Sequence, residues 1–85
     1  MVRAKIKISS MKYYGKWDDS DVEVMFAAVY KDDPSHENKQ FWKHTPNLTL
    51  AMTLSRDAKG AIAFFRKVME EGTELYLDFS EAPPS

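Results

Sequence analysis

Residues 48–79 read LTLAMTLSRDAKGAIAFFRKVMEEGTELYLDF, and three successive periodicities in this stretch decide the fold. Leu48, Leu50, Met52 and Leu54 alternate with Thr49, Ala51, Thr53 and Ser55. A period of two sets one side of a strand against a core. The period then lengthens: Ala58, Ala61, Ile62, Phe65, Val68 and Met69 follow the i, i+3, i+4, i+7 rule of one apolar helical face. Arg66, Lys67, Glu70 and Glu71 fall off that face. Ser55 stands where an N-cap belongs, Asp57 suits the first turn of a helix dipole, and Gly72 suits a left-handed stop. Phe65, at the centre of the stripe, is expected to pack on the sheet with Ile62 and Met69, while Phe64 points away from it. Leu75, Leu77 and Phe79 return to period two and form a last strand.

Working outward, residues 2–8 alternate Val2, Ala4, Ile6 and Ile8 with Arg3, Lys5 and Lys7, a half-buried strand that can run on to Tyr14 before Gly15 breaks it. Asp18, Asp19, Ser20 and Asp21 are turn chemistry. Residues 22–30 follow as a second strand, apolar on both faces and therefore central. Residues 31–37 are loop-like, and residues 40–43 are expected to form a short edge strand ahead of Pro46. The order is β-β-(β)-β-α-β. It implies an α+β fold: a small antiparallel sheet or partly open OB-like barrel of four to five strands, with one amphipathic helix before the last strand. Residues 1–82 read as one domain and residues 83–85 as a disordered tail.

The chain has 85 residues and no cysteine, so neither disulfides nor thiolate metal sites can staple it. At this length the core must carry the stability, with homo-oligomerisation as an added means. The hydrophobic fraction of 44% is enough to build that core. No apolar run approaches the roughly 20 residues of a membrane span, and the alternating start lacks the apolar region of a signal peptide. The expectation is a cytoplasmic protein with no membrane partner. Net charge is −1, but residues 1–17 are basic and residues 18–34 acidic, which suggests ion pairs between the first two strands.

Catalytic motifs are missing. Gly15, Gly60 and Gly72 are too scattered for a phosphate loop, and His36, His44 and Glu37 match no standard metal spacing. The Asp18, Asp19, Asp21 cluster lacks the glycine and the bidentate glutamate of a calcium loop. The sequence is therefore read as a non-enzyme with no cofactor and no metal. Two segments interleave rings with cations: Lys12-Tyr13-Tyr14-Gly15-Lys16-Trp17 and Lys39-Gln40-Phe41-Trp42-Lys43-His44. Rings of this kind anchor protein interfaces, and with lysines they also bind single strands. The candidate binding residues are Tyr14, Trp17, Asn38, Lys39, Phe41, Trp42, Lys43, His44 and the off-face Phe64.

The motif Glu37-Asn38-Lys39 with Phe41, Lys43 and Thr45-Pro46, the strand segments 24–30 and 50–54, Phe64-Phe65 and the ending Gly72-Thr-Glu-Leu-Tyr-Leu-Asp-Phe79 resemble a family of small uncharacterised phage and prophage proteins. The resemblance covers most of residues 3–82. It departs where a longer helix replaces an Asn-Pro-led segment and Glu71-Gly72 replaces Pro-Gly. It implies an accessory protein in the cytoplasm of an infected bacterium that binds and modulates a host protein, including a defence factor. The alternatives are a single-stranded nucleic-acid or nucleotide binder and, third, a minor virion or assembly component.

Overall fold

The structure, a computed structural model, describes residues 2–29 and 45–84. Strand β1, Val2–Tyr13, is the one on which the rest is assembled. It pairs antiparallel with β2, Val22–Ala28, along most of its length. Strand β3, Thr49–Leu54, pairs antiparallel with the other side of β2. Helix α1, Lys59–Glu71, then carries the chain to β4, Leu75–Phe79, which pairs antiparallel with β1 from Val2 to Ile6. The sheet order β3-β2-β1-β4 is curled into an OB-like half-barrel, and α1 packs against β1. The α+β reading of the sequence holds. The edge strand expected at residues 40–43 lies outside the described residues.

Alternation explains the layers. Ala4 and Ile6 from β1, Val22, Val24 and Phe26 from β2, and Ile62 from α1 form the buried cluster. Leu50, Met52 and Leu54 flank it from β3, and Leu75 and Leu77 from β4. On the opposite face Arg3 forms a two-pronged ion pair with Asp78, and Lys5 lies 3.9 Å from Glu74. Of the ion pairs expected between β1 and β2, Lys12 and Glu23 stand opposite each other in register, and part of the acidic segment lies outside the described residues. Arg3 and Lys5 pair at the β4 side of the sheet, where Asp78 is the register partner of Arg3 and Glu74 immediately precedes β4.

A bulge divides β1. Its register on β2 shifts between Ile8 and Ser10, where the Ser9 hydroxyl donates to the Met25 carbonyl at 3.1 Å. One extra residue changes which side chains face inward. Ala4, Ile6 and Ile8 face the core before it; Met11 and Tyr13, opposite Val24 and Val22, do so after it.

The helix departs from expectation at its start. Ser55 leads a tight turn, its hydroxyl accepting the Asp57 N–H at 3.3 Å and its carbonyl the Ala58 N–H at 2.9 Å. The helix therefore begins at Lys59, with Ala58 at the cap position, no side-chain cap and no acid in the first turn. Ile62 and Val68 are its buried residues; Phe65 is half-buried and Met69 is 41% exposed. Met69 is thus more open than a place on the core stripe implies.

The stop is as expected. Gly72 has φ 67°, and the Thr73 and Gly72 N–H groups close on the carbonyls of Val68 and Met69. Gly72→Ala is expected to cost about 1–2 kcal/mol, because only glycine adopts this conformation freely. Gly60→Ala places its methyl in open space and is expected to stabilise by about 0.5–1 kcal/mol. Thermal melts of the two variants, one below and one above the parent, check the pair.

Candidate functional site

The loop between β1 and β2 folds back on itself. The Tyr14 N–H donates to the Asp21 carbonyl at 3.0 Å, and the Asp19 N–H to the Lys16 carbonyl at 3.3 Å. Gly15 is needed here, because a methyl in its place would stand 2.9 Å from the Ser20 Cβ. That tight return buries Ser20 and leaves Trp17 at the tip, 59% exposed.

Arg66 fixes the tip to the helix. Its Nε donates to the Tyr13 hydroxyl at 3.2 Å and a terminal nitrogen donates to the Trp17 carbonyl at 3.1 Å. The guanidinium carbon lies 3.9 Å from the Trp17 ring centroid and 5.4 Å from that of Tyr13. The two rings are 4.9 Å apart and tilted by 35°. Opposed groups on the two faces of the indole would lie much farther apart than 5.4 Å. Tyr13 and Arg66 therefore do not sandwich the ring, and much of it stays open.

Trp17 lines two concavities. A groove of about 310 Å³ is lined by Met11, Tyr13, Trp17, Arg66, Met69 and Glu70. The exposure of Met69 is accounted for here, since it walls this groove. A second cavity, of about 140 Å³, is lined by Trp17, Asp18, Ser20, Val22, Arg56, Lys59, Ile62 and Arg66. The Arg56 N–H donates to the Asp21 carboxylate at 2.9 Å, and its guanidinium lies 3.8 Å from both Asp19 and Asp21. The Lys59 ammonium donates to the Asp18 carbonyl at 3.1 Å. The aspartates thus act in a turn and in pairs with Arg56. Among the described residues no cluster of carboxylates or imidazoles suits a metal ion, and no helix is long and apolar enough to cross a membrane.

Of the residues read as candidates from the sequence, Asn38, Lys39, Phe41, Trp42, Lys43 and His44 lie outside the described residues. Trp17 is at the centre of the site. Tyr14 is exposed on the same loop, with the Lys12 ammonium 5.0 Å from its ring centroid. Phe64 is 52% exposed, as its off-face position implies, and its ring meets Phe65 edge-on at 5.1 Å. Sequence reasoning missed Tyr13, Ser20, Arg56, Lys59 and Arg66 as members of one site. The parity change from Ile8 to Met11 and Tyr13 was the available signal for Tyr13. The lysine and arginines looked like solvated positions around a helix. Comparison of the chain with protein-family models, with curated proteins and with solved structures gives no match.

Proposed function

We propose that this chain is a non-enzymatic binding module whose contact surface is the Trp17 end of the half-barrel, and that its partner is a protein. The observation that carries the reading is the exposed indole of Trp17, held by Arg66 at the lip of a groove walled by Met11, Tyr13 and Met69. A tryptophan retained only for packing would be expected to turn inward. Held outward beside a methionine-lined groove, it suits the apolar anchor of a partner. The resemblance to small phage proteins adds that the partner belongs to the host and that binding modulates it. A defence factor is the candidate of greatest interest.

Single-stranded nucleic acid is the second reading, favoured by exposed Tyr14 beneath Lys12 on a curled OB-like sheet. Affinity capture from expressing bacteria, with nuclease present, separates the two. The expected result is one host protein recovered with the parent chain and with Phe64→Ala, and lost with Trp17→Ala. Recovery of nucleic acid instead, with steeply salt-dependent oligonucleotide binding, would sink the protein reading.

A further inference from the structure

The second cavity lined by Trp17 is not accounted for by a protein anchor in the groove. Its chemistry is different. Arg56, Lys59 and Arg66 all line it, and their positive ends are held in place largely by backbone carbonyls and rings. Among the described residues no carboxylate lies within ion-pair distance of Lys59 or Arg66. Arg56 does face Asp19 and Asp21, but at 3.8 Å and with every side chain about half exposed. Such surface pairs contribute little and exchange readily.

Two further features point inward. Helix α1 starts at this cavity, at Lys59, without a side-chain cap, and its first helical hydrogen bond is from the Ile62 N–H to the Ala58 carbonyl. Ser55 already takes the Asp57 and Ala58 N–H groups, so it is the first-turn N–H groups of Lys59, Gly60 and Ala61, with the dipole of the helix, that favour an anion at this end. Ser20, which lines the same cavity, is only 3% exposed, and its hydroxyl has no hydrogen-bond partner. A buried hydroxyl without a partner is costly, and rotation of the Ser20 side chain toward the cavity would let a ligand oxygen satisfy it.

We infer that this cavity is a binding site for a small phosphorylated molecule bearing a planar ring, with the phosphate held by Arg56, Lys59 and the Ser20 hydroxyl and the ring laid on the open part of Trp17. A nucleoside monophosphate has this chemistry. Aromatic stacking on the indole and charge-assisted hydrogen bonds to the phosphate are the two contributions. Asp18 also lines the cavity and opposes the phosphate, which favours ligands whose ring supplies part of the binding over a bare anion.

The test is a titration of the recombinant chain with adenosine monophosphate, uridine monophosphate, adenosine and inorganic phosphate, followed by the Trp17 indole N–H resonance. A saturable shift is expected with a monophosphate, with at least about tenfold weaker binding of both adenosine and phosphate alone. Arg56→Gln and Lys59→Gln are each expected to weaken the monophosphate by about tenfold, with an unchanged backbone spectrum showing that the fold survives. Ser20→Ala should weaken it as well, and Phe64→Ala should leave it unaltered. Absence of a saturable shift at millimolar ligand, or unaltered binding by the two glutamine variants, would overturn the site. Phosphate binding as well as the monophosphate would mean an adventitious ion only, and would overturn it too. None of these outcomes depends on the partner captured through the groove.

Discussion

Phe26→Ala is expected to remove about 3–5 kcal/mol of folding stability, as full truncations of buried phenylalanines do. Phe26 is 7% exposed in the middle of β2, opposite Ile8 on one neighbour and Leu50 on the other. Its ring meets Phe65 edge-on with centroids 5.9 Å apart, an aromatic contact between helix and sheet. A domain of this size holds on the order of 5–10 kcal/mol in total, so the loss is a large part of the whole. Urea denaturation should show a much lower midpoint, or a chain largely unfolded before denaturant is added. Phe65→Ala should cost less than Phe26→Ala, because Phe65 is only half-buried. Phe64→Ala should stay within about 0.5 kcal/mol of the parent. A midpoint for Phe26→Ala close to that of Phe64→Ala would show that the core is not where these contacts put it.

Trp17→Ala should act on binding in the opposite proportion. Trp17 is 59% exposed, so its removal forfeits little burial. What it does forfeit inside the protein is the stacking of Arg66 and the contact with Tyr13, together about 1–2.5 kcal/mol. Central tryptophans in protein interfaces typically contribute 2 kcal/mol or more, so affinity for the captured partner should fall by roughly 30-fold or greater. Titration calorimetry against that partner, with melts of both proteins, reads the two effects separately. A variant that melts with the parent and binds equally well would remove Trp17 from the interface.

Much of the fold was legible because alternation and helical spacing are written directly into residues 2–8, 22–28 and 48–79. Gly72 announced the helix stop because glycine alone adopts the left-handed conformation freely. Ser55 misled, because a serine hydroxyl can close a turn as readily as it caps a helix, and only the backbone around Ala58 decides between them. The site was harder to read than the strands. Trp17 was recognisable as an aromatic residue among cations, but Arg66 lies 49 positions away in the chain and joins it only when α1 crosses beside β1. Ser20 looked like any turn residue until the approach of Gly15 buried it.

The pairing of β1 with β4 has a consequence for the time course of folding. The ladder from Val2↔Phe79 to Ile6↔Leu75 joins segments from nearly opposite ends of the chain, so it incurs the loop-closure entropy of almost the whole sequence. The hairpin of β1 and β2 closes over a short loop and can form long before it. In the interval, half of β1 presents an open edge to other chains, the arrangement from which strand-to-strand association starts. Arg3, Lys5 and Lys7 lie along that same segment. Their charge keeps like edges apart until β4 arrives, and there Asp78 and Glu74 convert the first two into ion pairs.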